Sequence, residues 1–411
     1  MTKEFLQGNA VVGQSGGPTA AINATLAGVI RGFLAYGEGN TLYGMRNGME
    51  GFLEERLVNL NDRFAKEEDI ELLENTPAAA LGSCRKKLPE VEGNEEYYEK
   101  VFAIFRKYNI RYFFYIGGND SMDTVAKLSK YSKLNDYEMR FVGVPKTIDN
   151  DLVGTDHTPG FGSAAKYVAV TLAEIIRDCA VYTTKAVTIV EIMGRDAGWL
   201  TASAAVGRVV NGIEPDLLYL PESNFSMEEF LEDVRAKLEE KPNVVVAVSE
   251  GIRFADGRYV GEGQQSGAAD VFGHRYLSGT GKMLEMTVKA EIGCKVRSVE
   301  LNISQRCAAH LLSAIDIEES VRVGKAAVKA ATEGASRIMM TTDRISTKPY
   351  ESKVGMADVQ DIANQIKKVP AEFINARGNH VTDECCHYLL PLIAGERQPK
   401  YENGLPVHVI I

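Results

Sequence analysis

The chain predicts an α/β fold of two similar three-layer lobes, each a parallel sheet with helices on both faces, and a cleft between them. Three observations predict it. Short, strongly apolar runs recur along the 411 residues and alternate with stretches of helical spacing, as parallel strands buried on both faces do. Gly-rich or polar loops follow several of those runs directly, where the carboxyl ends of parallel strands present ligand-binding loops. Such strand–loop units occur both before and after a long stretch at 151–182, which suits two α/β halves enclosing a site.

Taken in order, residues 9–12 read as the first strand, followed by a Gly-rich turn and an amphipathic helix at 20–35. An irregular region spans 47–87. A helix at 95–107 leads into a strand at 111–116, a helix at 121–131 and a strand at 140–144. Helical spacing returns at 162–180, and the β-branched run at 185–192 is the next strand. A helix at 197–208, a short strand at 217–220, a charged helix at 227–240 and an apolar strand at 244–248 follow, with a further strand at 299–303. The Gly- and Gln-rich stretch 261–267 reads as a mobile surface loop. The C-terminal segment 361–411 is irregular, with a turn at Asn403-Gly404, and is expected to wrap back over the body.

Composition bounds the function. With 45% hydrophobic and 25% charged residues, the chain has the make-up of a soluble globular enzyme. No apolar run approaches the roughly eighteen residues of a membrane span, and the first residues lack a signal core, so the cytoplasm is expected. The net charge of -10 argues against a general nucleic-acid or membrane surface, yet leaves room for a local anion site. Six scattered cysteines without a Cys-x-x-Cys pair read as free thiols in a reducing compartment. Adjacent cysteines chelate poorly, which counts against a metal at Cys385-Cys386-His387.

Several loops carry chemistry. Gly13-Gln14-Ser15-Gly16-Gly17 formally matches a serine-hydrolase elbow, but the histidines supply no partner for it. A phosphate loop, with backbone N–H groups approaching an anion, or a plain tight turn are the other readings. Ser278-Gly279-Thr280-Gly281-Lys282-Met283 fails as a P-loop, because Tyr276 and Met283 stand at required positions. Gly117-Gly118-Asn119-Asp120-Ser121 and Pro145-Lys146-Thr147-Ile148-Asp149-Asn150-Asp151 each end a strand. Two carboxylates as close as Asp149 and Asp151 repel each other unless a cation or hydrogen bonds stabilise them. A hydroxyl attacking phosphorus must lose its proton, and Asp149 is the candidate base. Met193-Gly194-Arg195 brings an arginine fork suited to phosphate oxygens. Glu250 ends the 244–248 strand, in reach of sugar hydroxyls, while Arg297 and Arg306 flank the strand expected at 299–303.

Taken together and in order, these residues resemble the phosphofructokinase family over most of the chain. Ser15-Gly16-Gly17 with Asn23 is similar to its first phosphate loop, and Leu81-Gly82-Ser83-Cys84-Arg85 to its second. Gly117 to Ser121 resembles the metal and donor loop, and Thr147 to Asp151 the catalytic segment. Met193, Gly194, Arg195, Glu250, Arg297 and Gln305-Arg306 match the sugar-phosphate positions. The resemblance implies a donor lobe at 1–162, rejoined by about 305–360, and a sugar-phosphate lobe at 163–304. It also implies fructose 6-phosphate as acceptor, Mg²⁺ as cofactor, and a homodimer or homotetramer in which Arg297 crosses to a neighbouring subunit.

Departures refine the expectation. ATP-using members carry Gly-Gly-Asp-Gly-Ser and Gly-Thr-Ile-Asp-Asn-Asp; here Asp120 replaces a glycine of the first motif and Lys146 the glycine of the second. Both changes resemble the pyrophosphate-dependent members. A carboxylate at Asp120 repels the α-phosphate of ATP, and Lys146 adds a cation for a small, highly charged donor. The resemblance then assigns Asp149 as base, Thr147 and Arg195 to the reacting groups, and Gly16, Gly17, Arg85, Lys146 and Ser121 to pyrophosphate. Asn119 and Asp151 fall to the metal, with Asn119 an uncharged ligand where many members have aspartate. Ile303 stands where ATP-dependent relatives have histidine, and Ala186 where they have a subunit-crossing arginine, with Lys185 beside it. The rival readings are an ATP-dependent enzyme, a kinase of another sugar phosphate such as sedoheptulose 7-phosphate, and a catalytically silent regulatory subunit.

Overall fold

The computed structural model describes residues 5–37, 39–134, 137–262 and 279–411. Most of the loop expected at 261–267, and Ser278 of the P-loop-like stretch, lie outside the described residues. Two sheets organise the rest. The first has seven strands in the order Tyr350–Asp358, Ile338–Thr347, Arg140–Pro145, Ile110–Gly117, Asn9–Gln14, Leu42–Met45 and Leu57–Asn59. Its inner pairings are parallel and its two edge pairings antiparallel. The second is wholly parallel, in the order Lys295–Glu300, Ala186–Ile192, Asn243–Ser249 and Leu217–Tyr219.

Side-chain alternation turns each sheet into three layers. Val12, Phe114 and Val142 face the helices Ile22–Tyr36 and Ala314–Thr332, which supply Leu26, Ile30, Val323 and Ala327. Val11, Phe113 and Phe141 face Glu95–Lys107 and Asn119–Ser132, which supply Phe102, Phe105, Met122 and Val125. In the second sheet Val190 and Val245 pack on Phe161–Cys179, while Val187 and Val246 pack on Met227–Glu240 and Thr280–Ile292. Strands buried on both faces read as unbroken apolar runs, which is why they were legible.

The structure corrects several expected boundaries. The region expected to be irregular at 47–87 contains the Gly48–Leu53 and Glu67–Glu74 helices and the edge strand Leu57–Asn59. The helix expected at 197–208 is a short one, Trp199–Ser203, followed by a 3-10 turn at Val206–Val209. The strand expected at 299–303 runs over Lys295–Glu300 instead, and Ile303 precedes the one-turn helix Ser304–Cys307. The C-terminal segment includes a helix, Asp383–Leu389, whose Cys385, Cys386 and Leu389 enter the second lobe's core, while Val409 returns to the first. No helix among the described residues is long and apolar enough to cross a membrane.

Candidate active site

Both sheets direct the carboxyl ends of their strands towards one region. Asn9–Gln14 ends in Ser15-Gly16-Gly17, where Gly16 takes φ 77°, a conformation glycine adopts without a Cβ penalty. That turn lets Gly16 N–H donate to the Cys84 carbonyl at 3.1 Å, while its own carbonyl accepts from Ser83 Oγ at 2.6 Å. The two expected phosphate loops are therefore one unit. Beneath them, Gln14 Nε2 donates to Asn23 Oδ1 at 2.9 Å, Gln14 Oε1 accepts from Leu81 N–H at 2.9 Å, and Asn23 Nδ2 donates to the Thr76 carbonyl at 2.8 Å. These amides are buried, so leaving one unpaired would cost about 1–3 kcal/mol.

Ile110–Gly117 leads through Gly118 into the Asn119–Ser132 helix, with Asp120 in its first turn and Ser121 buried. Asn119 turns its amide nitrogen to the Gln365 carbonyl at 3.0 Å. Its Oδ1 is buried and has no hydrogen-bond partner among the described residues. Lys146 follows the next strand, buried, donating its N–H to the Gly117 carbonyl at 3.0 Å and its ammonium to the Gly17 carbonyl at 2.6 Å. It thereby joins the donor loop to the first phosphate loop.

The segment after Lys146 is held by its own turn. Thr147 N–H donates to the Pro159 carbonyl at 3.2 Å, and its carbonyl accepts from Thr158 Oγ1 at 2.8 Å. Asn150, at φ 54°, accepts from Thr158 N–H at 3.1 Å, and Asp149 N–H donates to Thr147 Oγ1 at 3.1 Å. Thr147 Oγ1 thus anchors the backbone of Asp149. Burial raises the Asp149 pKa against the pull of Lys146 and Arg195. Burial first, then the Asp149 charge, pushes Asp151 up to about 7. Lys146 goes the other way: burial lowers it to about 8, although both carboxylates favour its charge and Arg85 and Arg306 oppose it.

The second lobe supplies the facing wall. Met193 N–H donates to Gln305 Oε1 at 3.2 Å, Gly194 N–H donates to Glu250 Oε1 at 3.3 Å, and Ser249 Oγ donates to the Gly194 carbonyl. Burial pushes Glu250 up to about 8, with Asp149 among the charges raising it. Arg195 and Asp196 both act on Asp149, so loops from the two lobes meet there. Gly251 lies under this wall: a Cβ on it would stand 1.9 Å from the Arg195 carbonyl oxygen.

Most of the expected residues converge, and one, Arg306, differs from expectation. Arg306, expected at the sugar phosphate alone, also borders the first phosphate loop, since a Cβ on Gly17 would be 3.4 Å from its NH1. Arg297 lies away from this chain's own cleft. It pairs in register with Thr188 and is exposed on the edge strand, beside a 100 Å³ surface pocket with Tyr182 and Lys295. The sequence reading missed Lys367, whose ammonium bonds Asn150 Oδ1 at 3.1 Å and the Asp156 carbonyl at 2.7 Å. It also missed Glu222, whose Oε1 accepts from Gly198 and Val369 N–H groups, both at 2.9 Å. Glu222 follows the end of Leu217–Tyr219, a position that could have flagged it; Lys367 sits in a stretch with no period at all.

Comparison with known proteins agrees with this geometry. Residues 9–331 match the family model described as Phosphofructokinase. A pyrophosphate–fructose 6-phosphate 1-phosphotransferase of Methylococcus capsulatus is 41% identical over 98% of this chain and 96% of its own length. The protein of the same name from Halomonas elongata is 40% identical over 97% and 95%. Among solved structures, a pyrophosphate-dependent phosphofructokinase from Nitrosospira multiformis superposes with a TM-score of 0.88 at 38% identity, covering 98% of this chain and 96% of that one.

Proposed function

Because the chain belongs to the phosphofructokinase family, we propose that it transfers a phosphoryl group reversibly from pyrophosphate to the 1-hydroxyl of fructose 6-phosphate. The products are fructose 1,6-bisphosphate and phosphate. The observation that carries this is the cationic cradle: Lys146 and Arg306 both border the Gly16-Gly17 turn, and Arg85 acts on Lys146. Asp149 stands beside that cradle, facing Arg195. The sugar oxygen attacks the terminal phosphorus, its proton passes to the Asp149 carboxylate, and the bond to the bridging oxygen breaks. Lys146 and Arg85 stabilise the departing phosphate, and Arg195 the group in flight. Gly16, Gly17 and Ser121 line the donor pocket. Met193, Gly194 and Glu250 hold the sugar, with Glu250 raised to about 8 and so able to donate a hydrogen bond to a sugar hydroxyl near neutral pH.

Asp120 carries the choice of donor. A helix N-terminus attracts phosphate, and in the first turn of Asn119–Ser132 a carboxylate already occupies that field. Pyrophosphate needs no further anion site there; the α-phosphate of ATP does. Mg²⁺ fits the donor set through the unpaired, buried Asn119 Oδ1 and the Asp151 carboxylate. The described residues contain no cluster of three or more His, Cys, Asp or Glu suited to a metal, so an ion there would draw its remaining ligands from waters and substrate oxygens. Bound there, it would neutralise charge on the donor.

The domain limits that suit these sheets are 1–162 with 305–360, 163–304, and 361–411. The exposed Arg297, beside Lys295 and the 57%-exposed Tyr182 on an edge strand, supports a homo-oligomer in which Arg297 completes a neighbour's sugar-phosphate site. All six cysteines are free, in keeping with the cytoplasm. The test is the chain itself with fructose 6-phosphate, pyrophosphate and Mg²⁺, read as fructose 1,6-bisphosphate formed. Asp149→Ala is expected to lose about 10²- to 10⁴-fold in turnover while sugar binding persists. Near-normal turnover in that variant, or none in the parent, contradicts the assignment.

A further inference from the structure

Residues 365–369 cross the molecule where the three working loops meet. The Gln365 carbonyl accepts from Asn119 Nδ2 of the donor loop at 3.0 Å. Two residues on, Lys367 N–H donates to the Asp151 carbonyl at 2.8 Å. Its ammonium donates to Asn150 Oδ1 at 3.1 Å, the Thr155 carbonyl at 3.2 Å and the Asp156 carbonyl at 2.7 Å. Its carbonyl accepts from Trp199 Nε1 at 3.0 Å, and the ammonium lies 5.3 Å from the Trp199 ring centroid. Two residues further, Val369 N–H donates to Glu222 Oε1, the atom that also accepts from Gly198 N–H beyond Arg195. Positions 365 and 367 therefore bind the donor loop and the catalytic segment, and position 369 reaches the loop that carries Arg195 through Glu222.

Lys367 is the central tie. Asn150 sits in the left-handed region at φ 54°, between Asp149 and Asp151. Its Oδ1 is shared by Thr158 N–H and Lys367 Nζ. Removing the ammonium takes one donor each from Asn150 Oδ1 and the Thr155 and Asp156 carbonyls; Oδ1 keeps Thr158 N–H, and the Asp156 carbonyl keeps the Tyr388 hydroxyl. It also removes one of the two cations that act on Asp151, Lys146 being the other.

We infer that Lys367 is a positioning residue for phosphoryl transfer, holding the Asn150 turn so that Asp149 faces the Arg195 loop across the cleft. The inference rests on the proposed function, and adds a residue from the C-terminal segment to it. Misplacing a reacting group by about 1 Å costs on the order of 10²-fold in rate, so the effect belongs in kcat rather than KM.

The experiment compares full-length parent, Lys367→Met and Lys367→Arg at a temperature well below unfolding. Lys367→Met is expected to lose about 10- to 100-fold in kcat with pyrophosphate and fructose 6-phosphate, with both KM values within about threefold of the parent. Lys367→Arg, which keeps the charge and the donors, is expected to recover part of that loss. A purely structural role would lower the melting temperature and leave kcat of the folded enzyme within about twofold, and that result overturns the inference. If Lys367→Met does not fold, Trp199→Phe decides, because it removes the indole bond to the Lys367 carbonyl and shrinks the ring under its ammonium: lower kcat at unchanged KM supports the inference, and parental kcat overturns it. A parent inactive with pyrophosphate contradicts the proposed function itself, before any variant is compared.

Discussion

Lys146 and Asp149 respond to the same burial with opposite shifts. Desolvation lowers the ammonium to about 8 and raises the carboxylate, while their mutual attraction opposes both changes. The consequence for donor binding has a definite sign. Below about 8 Lys146 is a cation facing the donor pocket; above it the charge is lost, and pyrophosphate binding weakens with it. The second-order constant kcat/KM for pyrophosphate, which reports the free enzyme, is expected to decline as pH rises through about 8. Lys146→Met should lower that constant at neutral pH and flatten the alkaline limb. A limb that survives the substitution unchanged would assign it to another group.

At the scale of elements, the loops work because rigid strand ends present them. Gly251 illustrates the tolerance: the Arg195 backbone occupies the space its side chain would need. Gly251→Ala is expected to cost about 1–3 kcal/mol of stability through overpacking and to raise KM for fructose 6-phosphate by shifting Arg195. Thermal or denaturant unfolding, with steady-state kinetics beside it, checks both. Legibility followed the same division. Arg140–Pro145 and Asn243–Ser249 were readable because both their faces are buried and their residues nearly all apolar. Lys295–Glu300 was not, since an edge strand with exposed Lys295, Arg297 and Glu300 offers no apolar run. Lys367 was invisible for a further reason: its bonds are to residues more than 160 positions away in the chain.

At the scale of the molecule, the chain's own cleft holds Asp149, Lys146, Arg195, Arg306 and Glu250, whereas Arg297 faces outward on the sheet edge. A site completed across subunits predicts complementation. Asp149→Ala and Arg297→Ala homo-oligomers, each impaired, should regain activity when dissociated and reassembled together. If the assembly is a dimer, random mixing restores about a quarter of parental activity, because half the dimers are mixed and each of those has one intact site. No recovery on mixing would mean that Arg297 serves no neighbour's site.

In the proposed function Asp120 and Lys146 set the phosphoryl donor while Asp149 performs the transfer. Asp120 stands out by its sequence motif, and its place in the first turn of a helix is the physical ground on which that role is proposed. The most direct test is turnover with pyrophosphate and with ATP, each saturating, at saturating fructose 6-phosphate and Mg²⁺. Faster turnover with pyrophosphate is the predicted result. Faster turnover with ATP would contradict the claim.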